Sequence, residues 1–271
     1  MKTRVITAVV LLPLLLLVVL AAPKIFTAIL FATMAAIAAY ELLSGTGIVK
    51  HLRLCIYTAL SAFWCVLWCG LHISSVWLLL GVLLLWVAIF SEMMASQMRL
   101  GFEKAAVCMV AGVLIPLLFG AVVRLHSSEQ GRFYILIPFV LAFLSDTGAY
   151  FIGLKFGKHK LAPVISPKKT VEGVIGGVLG AIVGMVIYCV VLQLGFKFRV
   201  NYLFAVIYGV LGSAAGVFGD LCFSVVKRQT GIKDYGNLFP GHGGILDRFD
   251  STMVVAPLVE ILVALLPVAV K

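Results

Sequence analysis

Apolar residues run along this chain in stretches of about 20, the length at which a helix crosses the hydrocarbon core of a bilayer. Nine such stretches are readable, roughly 5–22, 25–43, 54–71, 73–91, 105–123, 133–153, 171–195, 201–223 and 252–270. Only Pro23 and Lys24 separate the first two, which predicts a tight helical hairpin. The run from Val5 to Ala22 follows Lys2 and Arg4 as a signal-peptide core would. It exceeds the ~7–15 residues usual for such a core and reads as an uncleaved first span. No soluble domain fits between the spans. The predicted fold class is therefore an all-α polytopic membrane protein of about nine transmembrane helices. Residues 1–130 form an N-terminal set of about five spans without a motif. Residues 131–271 hold the remaining spans and two long polar loops, 155–170 and 224–251.

Composition agrees with this pattern. Hydrophobic residues make up 63% of the 271 positions and charged residues 12%, with a mean hydropathy of +1.16. That is too little polar surface to cover a globule, which excludes a soluble enzyme, a disordered chain and a DNA-binding domain. The formal charge of +10 fits basic cytoplasmic loops and anionic headgroups, so membrane lipids rather than nucleic acid are the expected partners. Basic loops also suit an anionic substrate. The 6 cysteines form no C-x-x-C pair and read as small buried hydrophobes.

Lys and Arg distribution sets the expected orientation. With the N-terminus inside and nine alternating spans, Lys24, Arg124, Arg132, Lys197, Arg199 and Lys271 fall outside, and the other 15 of the 21 basic residues fall inside. The C-terminus is then outside. Gly176, Gly180 and Gly184 recur every fourth residue on one face of the seventh span, and Gly212 and Gly216 do so on the eighth. Such rows let helix backbones approach closely, within one chain or across a homodimer.

Acids within spans are costly, by ~2.5–3.5 kcal/mol on insertion scales, and each needs a reason. Glu41, Asp146, Glu172 and Asp220 all lie towards the inner ends of their spans, whereas Glu260 lies near mid-depth. The two long loops open on that same inner face. One contains Ser166-Pro167-Lys168-Lys169-Thr170. The other, from Ser224 to Ser251, carries Lys227, Arg228, Lys233 and Arg248, the acids Asp234, Asp247 and Asp250, His242 and 5 glycines. Acids beside basic loops at headgroup level point to carboxylates holding a divalent metal and bases meeting phosphate. Gly241, Gly243 and Gly244 would let backbone N–H groups approach phosphate oxygens. Asp247 and Asp250, three apart, would share a face on a helix beginning there. Asp220 and Asp247 are the leading candidates for Mg²⁺, with Asp250 and Asp146 next. For Asp247 and Asp250 the other reading is an internal salt bridge to Arg248 or Lys233. No P-loop, nucleophile-elbow or zincin pattern occurs.

At this loop the sequence resembles the bacterial phosphatidate cytidylyltransferases, or CDP-diacylglycerol synthases. The resemblance rests on Ser224, Lys227, Arg228, Lys233, Asp234, His242, Gly243, Gly244, Asp247, Arg248 and Asp250. Ser145-Asp146-Thr147 with Ala149-Tyr150, and the Ser166 to Gly173 segment, add to it. It implies a transfer from CTP to phosphatidic acid that yields CDP-diacylglycerol and pyrophosphate. It also implies Mg²⁺ dependence, an active site on the inner face and a place in the bacterial cytoplasmic membrane. On that reading Lys227, Arg228, Lys233 and Arg248 bind the phosphates of nucleotide and lipid, and Ser166, Lys168 and Lys169 meet the phosphatidate headgroup. Positive-inside anchoring is the alternative for Lys227 and Arg228, and anionic-lipid attraction for Lys168 and Lys169. His242 donates to a phosphate oxygen or holds the loop. Rival readings are a transporter, another membrane phosphotransferase and an inactive scaffold; the absence of an internal repeat, of the CDP-alcohol transferase pattern and of gaps in the charged motif weighs against them.

Overall fold

The computed structural model describes residues 13, 15–97, 100–239, 241 and 243–271. Half of the expected first span, 5–22, lies outside the described residues, as does His242. Among the described residues seven helices are long and apolar enough to cross a membrane: α1 (Lys24–Tyr40, continued by a π turn to Gly45), α2 (Leu52–Leu71), α3 (Ser75–Ala95), α4 (Phe102–Ser127), α5 (Gly131–Phe156), α6 (Val171–Phe196) and α7 (Tyr202–Gln229). They match expected spans two to eight. A four-residue helix, α8 (Leu246–Phe249), and α9 (Thr252–Leu265) follow. The architecture is that of a multi-pass, predominantly helical membrane protein.

The last expected span differs. Helix α9 has 14 residues, about 21 Å at ~1.5 Å per residue, short of a ~30 Å hydrocarbon core. It stops ahead of Pro267, whose ring disfavours helical backbone at the preceding residue, and Leu266 sits at φ −135°, ψ 68°. The loop expected from 224 also begins later, because α7 continues through Gln229. The 155–170 loop is a hairpin of β1 (Lys160–Ala162) and β2 (Ser166–Thr170).

The chain divides into two compact units, residues 1–132 with 227–249, and residues 133–226 with 250–271. In the first, α1 and α2 pack closely, and a Cβ at Gly70 would stand 2.6 Å from that of Ala28. Helix α4 contains a π turn, Val110–Leu114, and the Gly112 carbonyl accepts the Ser61 hydroxyl at 3.0 Å. The α2–α3 connection is tied by indole N–H donation from Trp64 to the Trp77 carbonyl and from Trp68 to the Ser74 carbonyl, while the Ser74 side chain caps α3. Phe31, Phe119 and Phe249 form a chain of tilted and edge-on rings, with centroids 5.3 and 5.6 Å apart, that brings the end of α8 into this core.

In the second unit α5 and α6 touch backbone to backbone. A Cβ at Gly176 would stand 2.7 Å from the Gly148 carbonyl, and one at Gly180 would run into the Leu144 carbonyl. Gly212 packs on Leu141 of α5, and Gly216 on Val255 of α9. Both glycine rows are thus covered within the chain, which leaves neither for the homodimer contact considered above. Ser145 and Ser213 hydroxyls join α5 to α7 at 2.7 Å. The C-terminal residues are pinned by pairing of β3 (Arg199–Val200) with β4 (Ala269–Val270) and by the Tyr134 hydroxyl, which donates to Ala269 at 2.6 Å.

Helix α6 begins where Thr170 caps it, its Oγ1 accepting the Gly173 N–H at 3.1 Å. Glu172 in the first turn accepts the backbone N–H groups of Lys158 and His159, which ties the hairpin to the helix start. Thr170→Val keeps the shape and removes the acceptor. It is expected to cost about 1 kcal/mol, read as a lower unfolding midpoint in detergent, with Thr170→Ser close to wild type.

Candidate active site

The 227–249 segment of the first unit folds around a carboxylate. Lys227 Nζ lies 3.0 Å from Asp247 Oδ1 and 5.4 Å from the centroid of the Tyr235 ring. Asp247 Oδ2 accepts the backbone N–H of Tyr235 at 2.7 Å and that of Gly244 at 3.0 Å. The Asp247 side chain is only 2% exposed, so this is a buried ion pair with two further donors. A tight turn closed by Phe239 N–H on the Gly243 carbonyl brings the chain back on itself. Gly243 has φ +84°, and a Cβ there would stand 2.7 Å from Asp247 Oδ2. Left-handed backbone and a neighbouring carboxylate together require glycine at this point.

A second carboxylate reaches the same segment from α1. Glu41 Oε1 accepts the N–H of Ile245 at 3.2 Å, and Oε2 that of Leu246 at 3.0 Å. Glu41 is buried. A Cβ at Gly236 would stand 2.5 Å from Glu41 Oε1, and one at Gly244 would overlap both oxygens. The Gly244 N–H goes to Asp247, and the space beside Gly236, Gly243 and Gly244 is filled by the carboxylates of Glu41 and Asp247. A buried N–H must find an acceptor, and these two acids are the nearest. The salt-bridge partner of Asp247 is Lys227 rather than Arg248 or Lys233, both of which are exposed.

In the second unit, residues about fifty positions apart meet. Lys169 on β2 pairs with Asp220 on α7 at 2.5 Å, and the Ser224 hydroxyl donates to Asp220 Oδ1 at 3.1 Å. Gly219 packs against the Asp250 carbonyl, 2.8 Å from where its Cβ would be, so the chain at Asp250 runs beside Asp220. Asp250 Oδ1 accepts the Ser251 N–H at 2.7 Å. Asp146 is exposed on α5, next to the buried Ser145; Lys168 is exposed on β2, and Ser166 opens that strand half-buried.

These surroundings separate two kinds of acid. Glu41 and Asp247 are sealed and hold backbone. Asp220 is 30% exposed and its partner Lys169 24% exposed, so solvent weakens their pairing and the two can exchange partners. Among the described residues no three His, Cys, Asp or Glu side chains form a ready metal cage. Mg²⁺ needs none, since one or two carboxylates, water and substrate phosphate commonly complete its shell. Asp220, partly exposed in the second unit, keeps a carboxylate within reach of solvent, whereas both oxygens of Asp247, in the first, are already engaged. Sequence reasoning noted Glu41 as an acid at the end of an apolar span but assigned it no role, and nothing in the sequence marked Tyr235.

Comparison with known proteins extends this picture. Residues 2–266 match the model of the cytidylyltransferase family. A protein of Staphylococcus saprophyticus named phosphatidate cytidylyltransferase is 40% identical over 174 residues, 64% of this chain and 65% of that protein. One of the same name from Staphylococcus epidermidis is 38% identical over 182 residues, 67% of this chain and 68% of its own length. A third, from Staphylococcus aureus, is 40% identical over 179 residues, covering 64% and 65%. The alignments thus span about two thirds of these relatives. With the family model matched nearly end to end and relatives at this identity, the chain belongs to the cytidylyltransferase family.

Proposed function

We propose that this chain is a phosphatidate cytidylyltransferase, converting CTP and phosphatidate to CDP-diacylglycerol and pyrophosphate. The observation that carries the reading is the state of the 227–249 segment. Its acid Asp247 is turned inward onto backbone and Lys227, while Arg228, Lys233 and Arg248 stay at the surface, where phosphate can reach them. Family membership and the names of the relatives point to the same reaction.

In this reading a phosphate oxygen of phosphatidate attacks the α-phosphorus of CTP in line. The bond from that phosphorus to the bridging oxygen of the β-phosphate breaks, and pyrophosphate leaves. No protein nucleophile is required, so the work of the chain is positioning and charge stabilisation. Arg228, Lys233 and Arg248 bind phosphate oxygens of nucleotide and lipid, and Lys168 with Lys169 meets the lipid headgroup. Lys169 can pass from Asp220 to a phosphate, which frees the Asp220 carboxylate. Asp220, with Asp250 and Asp146 next, would hold Mg²⁺, which would supply charge neutralisation at the phosphates. The reading includes an N-terminus inside and a site at the cytoplasmic face of a bacterial inner membrane, as the Lys and Arg distribution supports.

Purified protein supplied with CTP, Mg²⁺ and radiolabelled phosphatidate is expected to form labelled CDP-diacylglycerol. No CTP-dependent product would overturn the assignment. Lys233→Ala is expected to raise KM for a phosphate-bearing substrate by about tenfold, the scale of one lost charge-assisted hydrogen bond. Unchanged kinetics would remove Lys233 from the site.

A further inference from the structure

We propose that Glu41 is a positioning residue, a remote cap by which α1 fixes the direction of α8 and so of Arg248; the catalytic part of this proposal rests on the function just given. Helix α8 has four residues, Leu246–Phe249. A helix that short cannot sustain itself, because its nucleus orders several residues for very few bonds. The leading N–H groups of a helix also lack acceptors within it. Here the N–H groups of Ile245 and Leu246, at the start of α8, are accepted by the two oxygens of one side chain 204 and 205 positions away.

The geometry around Glu41 is built for this contact. Glu41 opens a π turn, Glu41–Gly45, a widened turn of the kind often found at functional sites. The same turn touches the segment twice. Glu41 binds the amides of residues 245 and 246, and a Cβ at Gly45 would collide with the Tyr235 carbonyl. Tyr235 donates its own N–H to Asp247. The π turn therefore grips the folded segment at two points, at Tyr235 and at the entry to α8. Gly236 and Gly244 leave the carboxylate just enough room. Arg248 follows the capped turn by two residues and is exposed, so its aim depends on a turn that its own short helix cannot hold.

The test pairs amide exchange with a kinetic cycle. In Glu41→Ala, exchange of the Ile245 and Leu246 amides is expected to quicken by about tenfold or more. Glu41→Gln, which keeps one acceptor oxygen and turns an NH₂ towards the other amide, should fall between it and wild type. The kcat/KM for CTP is expected to fall by about tenfold or more in Glu41→Ala, but by less than about threefold when the change is made in an Arg248→Ala background. Unchanged exchange at residues 245 and 246 would overturn the capping role, and an undiminished kinetic loss in the Arg248→Ala background would overturn its action through Arg248. Should Glu41→Ala not fold, Glu41→Gln carries both measurements. Should wild-type protein make no CDP-diacylglycerol, the functional assignment falls, while exchange still decides the cap.

Discussion

Asp247→Asn is expected to remove nearly all turnover, by a hundredfold or more, and to loosen the 235–247 segment. The wild-type carboxylate accepts Lys227 on one oxygen and the amides of Tyr235 and Gly244 on the other. An asparagine of the same shape has one acceptor oxygen. If that oxygen keeps the two amides, its NH₂ faces the Lys227 ammonium, donor against donor. The Lys227 side chain is 11% exposed, so the ammonium is left largely without water or counter-ion. Breaking one partner of a buried pair costs about 3–5 kcal/mol, equivalent to exchange at the Tyr235 and Gly244 amides faster by about two to four orders of magnitude. Adding Lys227→Met removes the stranded charge. The double variant is expected to recover slow exchange, because no stranded charge is then left inside the segment. Slow exchange in the single variant would show that the segment does not depend on this carboxylate.

Gly176→Leu is expected to break the second unit. The contact between α5 and α6 is one of backbone on backbone: a Cβ at Gly176 would stand 2.5 Å from Ile152 Cβ and 2.7 Å from the Gly148 carbonyl. No rotamer relieves an overlap that begins at Cβ, so the helices must separate, and the neighbouring contacts of Gly180 and Gly184 with Leu144 separate with them. Overpacking by flexible side chains costs ~1–3 kcal/mol, and a rigid backbone neighbour puts this substitution at or above the upper end. The unfolding midpoint in detergent should fall by roughly 6–12 °C, at ~2–4 °C per kcal/mol for a chain of this size. Gly195→Leu is the control. It lies on the same helix with nothing within 4 Å of its Cβ, and leucine is the better helix former. Equal midpoints for the two variants would mean that the close approach is not required.

Spans two to eight were legible because the signal is local and additive. About twenty successive apolar residues favour hydrocarbon whatever the rest of the chain does. Glycines at every fourth position are likewise a local statement about how near another helix can come, although not about which helix comes. The charged motif from Ser224 to Asp250 stood out for a similar reason: the residue types that suit phosphate chemistry are few, and here they lie within one stretch of sequence.

The sequence by itself determined that this protein is a helical membrane protein with one densely charged segment, 224–251. Tertiary structure alone decided the partners within it: Lys227 for Asp247, Lys169 for Asp220, Glu41 for the amides of Ile245 and Leu246, and the early end of α9. Acids and bases of the same kind are interchangeable on paper. Which of them meet depends on where helices far apart in sequence come to lie, and the requirement that every buried donor find an acceptor acts only once they are there.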